Sequence, residues 1–128
     1  MSIKYKVVSK RPAGIAGVND PRYYPILTNR KVSDLDDVCR MISKRSTFNE
    51  ADVIGVIHSL IDLIPELVMD GRNVKLDGLG IFSVHASAVG KQTPEEVSAR
   101  DISKLKLAFL PSKKIKNELI KAEFKKVS

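Results

Sequence analysis

Tryptophan is absent from this chain of 128 residues, aromatic side chains make up only 5% of it, and there is one cysteine, Cys39. Each shortage excludes something. A core without Trp has to be filled by aliphatic side chains. A single thiol excludes an internal disulfide and any multi-thiolate metal site within one chain. His58 and His85 stand alone, with no second ligand at metal-binding spacing, so both are expected to be structural. No nucleophile–base pair, metal constellation or phosphate loop is visible. An enzyme is therefore the weakest class, and no catalytic residue, cofactor or small-molecule substrate is expected. The densest apolar run, Val53 to Val68, is broken by His58, Asp62, Pro65 and Glu66, which argues against a membrane span. The opening Met1-Ser2-Ile3-Lys4-Tyr5-Lys6 lacks the apolar segment of a signal peptide, so a cytoplasmic location is expected.

What is present is 43% hydrophobic and 29% charged residues, a soluble globular balance in a length that suggests one main domain. The net charge of +7 is unevenly spread. Residues 1–33 hold seven Lys/Arg against one acid, residues 34–88 five against nine, and residues 89–128 ten against five. Positive charge thus lies at both ends and the middle is acidic. That segregation favours an anionic polymer, nucleic acid first and a membrane surface second. Scattered solubilising lysines are the plain alternative.

Residues 1–31 read as a β-like extension. Ile3, Tyr5 and Val7 alternate with Lys4 and Lys6, loop signals follow from Lys10 to Pro21, and Tyr23 to Leu27 forms a second strand that Pro25 pushes to an edge. Tyr23 and Tyr24 are expected to pack more than to stack on bases. Residues 32–128 form the main domain. Ser33 is the expected cap of a first helix with Leu35, Val38, Cys39 and Ile42 on its apolar stripe. Cys39 on that stripe reads as a buried structural thiol. Asn49 caps a second helix that runs to Asp70, where Gly71 can take the left-handed stop position. This helix is apolar on more than one side, so it needs cover from a sheet and from a second copy of the chain; Pro65 should kink it.

From Val74 the period becomes two. Val74, Leu76, Gly78, Gly80, Phe82, Val84 and Ala86 share one face of a continuous strand, with Leu79 and Ile81 on the other. A turn or arm follows from Ala88 to Glu96. The returning strand puts Leu105, Leu107 and Phe109 on one face and Lys104 and Lys106 on the other, with a bulge near Ser103 because Ile102 has the wrong parity. Pro111 and Ser112 open a last helix in which Ile115, Leu119 and Ala122 pack inward. Lys113, Lys114 and Lys116 crowd its first turn, where the helix dipole disfavours them and phosphate would not.

This order of elements resembles the HU/IHF family of bacterial histone-like DNA-binding proteins over about residues 33–120. Gly71, Val74, Leu76, Gly78, Gly80 and Phe82 are similar to the family's Gly-x-x-Val-x-Leu-x-Gly-x-Gly-x-Phe, with Leu79 where an aromatic is usual. Ala108-Phe109-Leu110-Pro111-Ser112-Lys113 is similar to its Ala-Phe-Lys-Pro-Gly-Lys. The resemblance implies an α+β, HU-like fold: two N-terminal helices, an antiparallel β saddle with a short arm and a C-terminal helix, assembled as an intertwined homodimer. Here it would carry the N-terminal β extension of longer HU-like variants. HU and IHF are themselves standard examples of minor-groove architectural proteins, so that mechanism comes with the resemblance.

Two departures stand out: the N-terminal extension, which short family members lack, and the arm, about two residues short of the usual family length between Phe82 and Phe109. The family's arm-tip Arg-Asn-Pro-x-Thr-Gly is missing, with Lys91-Gln92-Thr93-Pro94-Glu95-Glu96 in its region. Residues 85–102 carry only Lys91 and Arg100 against Glu95, Glu96 and Asp101, which makes a poor minor-groove clasp. The expected function is non-sequence-specific, nucleoid-type binding of double-stranded DNA. The expected phosphate contacts are Lys104, Lys106, Lys113, Lys114, Lys116, Arg100 and Lys91, with Lys4, Lys6, Lys10 and Arg11 as a second basic surface. Val56, Leu60, Leu63, Leu67, Leu79 and Ile81 are the expected dimer interface. The rival is a protein-interaction or scaffold module on the same fold, with the DNA clasp lost.

Overall fold

The computed structural model describes residues 1–10, 21–28 and 30–127. The elements run β1 (Ile3–Lys10), β2 (Arg22–Leu27), α1 (Leu35–Lys44), α2 (Glu50–Met69), β3 (Val74–Leu76), β4 (Gly80–Ala88), β5 (Ile102–Pro111), α3 (Lys113–Leu119) and β6 (Phe124–Lys126). They form two compact units. One joins Met1–Ser33 to Glu118–Ser128 and the other is Asp34–Asn117. The mixed α+β composition expected from the residues is present.

In the larger unit, α1 starts one residue later than expected. Asp34, not Ser33, is the cap. Its carboxylate accepts the Asp37 N–H at 2.9 Å while the Asp37 carboxylate accepts the Asp34 N–H at 3.2 Å, a reciprocal box that also places negative charge at the positive end of the helix. Helix α2 begins at the predicted Asn49 cap and continues through Pro65 as one element. It ends in a Schellman motif. Gly71, at φ +82°, gives its N–H to Val68 C=O, and Arg72 gives its N–H to Leu67 C=O.

The continuous strand expected from Val74 to Ala86 is in fact two. Asp77 to Leu79 form a turn closed by the Leu79 N–H on Leu76 C=O, so β3 folds back on β4. A loop of three residues preserves parity, which is why the predicted face survives: Val74 lies opposite Phe82 and Leu76 opposite Gly80. Strand β5 completes the antiparallel order β3-β4-β5. The expected bulge is there. Ser87 pairs with Lys104 and Ala88 with Ile102, leaving Ser103 as the extra residue, and its hydroxyl donates to Ser87 C=O at 3.1 Å.

The pairing puts Phe82, Val84 and Ala86 beside Phe109, Leu107 and Leu105 on one apolar face. The Phe82 and Phe109 rings lie 4.8 Å apart at 33°, a tilted aromatic pair. Helix α1 packs on α2, and α2 packs on β3 and β4. The core this yields is thin. Among the described residues only Cys39, Val53 and Val68 are buried hydrophobics, whereas Val56 is 68% exposed and Leu107 60%.

The smaller unit is a sheet of order β2-β1-β6. Strands β1 and β2 are antiparallel, and Pro25 lies on the edge strand as expected. The third strand, β6, was not anticipated. It runs parallel to β1 with Ile3 opposite Phe124. Two expectations of packing fail here. Leu119, at the end of α3, is 62% exposed instead of turned inward, and both Tyr23 and Tyr24 are exposed, with no second layer over their sheet among the described residues.

Candidate nucleic-acid interface

The polar face of the larger sheet is set by the same register that builds its apolar face. His85 lies opposite Lys106 and Ser87 opposite Lys104, so the two lysines stand on one side of β5 with an imidazole directly across the ladder from Lys106. Period-two alternation in Lys104-Leu105-Lys106-Leu107 makes this unavoidable once the strand pairs. His85, expected as a lone structural residue, has Lys106 as its cross-strand neighbour, a relation that sequence spacing does not show.

The second cluster sits at the head of α3. Ser112 anchors it three times. Its hydroxyl accepts the Ile115 N–H at 3.2 Å and donates to Gly78 C=O at 2.7 Å, while its own N–H donates to Leu79 C=O at 2.9 Å. These bonds tie the start of α3 to the β3–β4 turn and fix where Lys113, Lys114 and Lys116 leave the backbone. All three are exposed, as are Lys104 and Lys106. None of the five makes an ion pair among the described residues.

The arm is organised differently. Beyond the Ala88–Ile102 pair the chain passes through two short 3₁₀ turns, Pro94–Glu96 and Ala99–Asp101. The Asp101 side chain, 13% exposed, accepts the Ser98 N–H at 2.9 Å and holds the Lys91 ammonium at 3.5 Å. Lys91 is thus engaged at the arm's base, and Arg100 is the remaining exposed cation there.

Of the expected interface residues, Val56, Leu60, Leu63 and Leu67 follow one stripe of α2, with Val56 and Leu63 exposed and the two others half-buried. Leu79 belongs to the turn, not to a strand, and Ile81 is half-buried. In the smaller unit Lys4, Lys6 and Lys10 share one face of β1, and Arg11 lies outside the described residues. Arg22 and Lys125, which register places on that face, were missed. The segment Phe124-Lys125-Lys126-Val127 is apolar-polar-polar-apolar, so it carries no period-two signal that could have marked Lys125 as a strand residue.

Cys39 is fully buried, and its thiol is pushed up in pKa by that burial, with Asp36 and Glu50 adding to the effect. Nothing about it suits a nucleophile. No helix of the described residues is long and apolar enough to cross a membrane, and no group of three potential metal ligands comes together among them.

Comparison with known proteins adds three findings. The profile of a family described as "HU domain fused to wHTH, Ig, or Glycine-rich motif" matches residues 1–126. Integration host factor subunit alpha of Anaeromyxobacter sp. strain Fw109-5 is 32% identical over 89 residues, covering 65% of this chain and 86% of that protein. The same subunit of Caulobacter vibrioides is 32% identical over 50 residues, which is 39% of this chain and 50% of that one. A crystal structure of a putative bacterial DNA binding protein from Bacteroides vulgatus superposes with a TM-score of 0.67 at 16% identity. It covers 98% of this chain and 48% of that one, and at such identity it shows the fold alone. The match therefore spans half of the Caulobacter relative and under half of the Bacteroides structure.

Proposed function

This chain belongs to the family of HU domains fused to wHTH, Ig or glycine-rich modules, and from that premise we propose that it is an architectural DNA-binding protein acting as a homodimer. The observation that carries the reading is the set of five exposed lysines, Lys104, Lys106, Lys113, Lys114 and Lys116. They sit on the polar sheet face and at the Ser112-anchored helix start, and none is neutralised by a carboxylate among the described residues. Arg100 adds a sixth cation. Such side chains neutralise phosphates and release counterions, a term that is indifferent to base sequence. With Lys91 held by Asp101, the arm contributes little to a minor-groove clasp, and contact falls to the sheet and helix. The reading assigns no catalytic step and places the protein on the nucleoid, in the cytoplasm.

The homodimer rests on the open apolar surface. Val56, Leu63, Leu105, Leu107 and Phe109 are exposed in the single chain. Burying a fully exposed large aliphatic or aromatic side chain is worth roughly 1.5–3 kcal/mol, and these five are about half exposed, so covering them would add on the order of 5 kcal/mol per chain. That reaches the lower end of the whole stability of an ordinary domain, about 5–15 kcal/mol. A second copy presents the same surface and is the economical cover.

Binding of duplex DNA measured against salt tests the reading. Six neutralised phosphates contribute about −5 per copy of the chain to the slope of log K against log salt. Reversing Lys104 and Lys106 together should weaken binding to every sequence alike. A flat salt response sinks the proposal. Silence on duplex DNA together with a stable protein partner selects the scaffold reading, which the Lys91–Asp101 pairing in the arm favours.

A further inference from the structure

The larger unit is electrically balanced. Residues 34–117 hold twelve Lys/Arg and twelve Asp/Glu. The whole excess therefore belongs to the smaller unit, where residues 1–33 and 118–128 together hold ten Lys/Arg against three acids. Register then concentrates it. Lys4, Lys6 and Lys10 alternate along one face of β1, Lys125 of β6 stands directly opposite Lys4, and Arg22 of β2 stands directly opposite Lys10. The other face carries Ile3, Val7, Leu27 and Phe124. No acid occurs in any of the three strands, and none of the five cations makes an ion pair among the described residues.

Two of these cross-strand neighbours are like-charged pairs, Lys4 with Lys125 and Lys10 with Arg22. Like charges directly opposite destabilise a sheet. No carboxylate among the described residues offsets them, and an external anion of matching extent would. Residues i and i+2 of a strand are about 6.6 Å apart and neighbouring strands about 4.8 Å, so the five charges form a flat grid, not a single-anion pocket. The half-buried Val8 and Ile26 lie low among them, and the exposed Tyr24, opposite Val8, adds to this face one aromatic ring with a polar hydroxyl tip. That suits a track of phosphates better than insertion into lipid.

We propose that this cationic face of the β2-β1-β6 sheet is a second DNA-binding surface, one that holds the phosphate backbone of duplex DNA through Lys4, Lys6, Lys10, Arg22 and Lys125. It rests on the DNA-binding reading above for the choice of polyanion, but on separate residues. Lys126, on the opposite face beside Tyr5, takes no part.

The test compares the full chain with the variant Lys4→Gln/Lys6→Gln/Lys10→Gln/Lys125→Gln in duplex binding across a salt series. Each lost phosphate contact flattens the slope by about 0.9, so the variant should be shallower by about 3 to 4 per copy of the chain. Lys126→Gln should leave the slope unchanged. The variant's melting temperature should be equal or higher, since both like-charge pairs are relieved. If it fails to fold, Lys4→Gln/Lys10→Gln alone should flatten the slope by about 2. Wild-type binding with a slope that the variant leaves intact overturns this surface and spares the reading above. No wild-type binding to duplex overturns both. Loss of retention on vesicles of anionic phospholipid, with the duplex slope unchanged, moves the face to a membrane and overturns the proposal.

Discussion

Gly80→Ala is expected to be among the most damaging single-methyl additions in the chain. Gly80 is buried at the start of β4, at φ +155°, where side chains are rarely tolerated. A Cβ there would run into the Leu110 carbonyl oxygen of the paired strand and come within 2.6 Å and 2.9 Å of two atoms of the Phe109 ring. The carbonyl is backbone and cannot swing away. The ring is held against Phe82, so relief requires β4 and β5 to part or the aromatic pair to break. Strain at a glycine-only conformation costs about 1–3 kcal/mol. Overpacking a filled site adds about 1–3 kcal/mol. The expected loss is therefore about 4 kcal/mol.

Gly71 supplies the control. It too has positive φ, +82°, but an added Cβ meets nothing within 4 Å, so Gly71→Ala should cost only the backbone term, about 1–2 kcal/mol. Urea unfolding followed by far-UV circular dichroism, at one fixed protein concentration because a dimer's stability depends on it, measures both. Phe109→Leu in the Gly80→Ala background should recover part of the loss by removing the ring contact. If Gly80→Ala costs no more than Gly71→Ala, the close approach of β4 and β5 is wrong, and with it the sheet geometry that aims Lys104 and Lys106.

Asp37 has its pKa lowered, chiefly by the Asp34 N–H it accepts, so the cap is fully stabilising above the ordinary carboxylate range and is lost as pH falls through the folded value. Asp37→Asn should remove this contribution, shrinking the stability difference from wild type below about pH 4, as read by unfolding at a series of pH values. Leu107→Glu should be nearly neutral in an isolated chain, where the residue is exposed, yet should halve the sedimenting mass; a dimer of undiminished affinity contradicts the proposed cover. The Cys39 thiol should resist an aromatic disulfide reagent at pH 8 until the protein is unfolded, because burial disfavours its thiolate; prompt labelling of folded protein refutes this. Lys91→Gln should leave the DNA salt slope where it is, since the ammonium already lies 3.5 Å from the Asp101 carboxylate, whereas a slope shallower by about 0.9 would show it on phosphate.

Elements with a local cause were legible in the residues. The Asn49 cap, the Gly71 stop and the Ser103 bulge each follow from a chemical signal within a few positions. Parity survived even where the strand did not, because the three-residue Asp77–Leu79 turn returns even-numbered residues to the same face. What escaped was non-local. Strand β6 is three residues long and exists through its pairing with Ile3, Lys4 and Tyr5 at the other end of the chain. Missing it meant missing Lys125. Leu119 and the tyrosines were assigned to packing by residue type, which says nothing about whether a second layer is there to receive them.

The balance of charge in the larger unit bears on how such a protein would find DNA. Residues 34–70 carry eight acids against three bases, and residues 71–117 carry nine bases against four acids. Net charge is zero, yet helices α1 and α2 are negative while the sheet and the start of α3 are positive. A field of this form turns the molecule more than it attracts it, presenting the lysine-bearing end to a polyanion and holding the helical end away. Long-range attraction would then have to come from elsewhere, and the unit with ten bases against three acids is the available source. Orientation by one unit and attraction by the other are separable physical roles. On the proposed DNA-binding reading, the net charge that the larger unit does not have is carried by the unit that β1, β2 and β6 build.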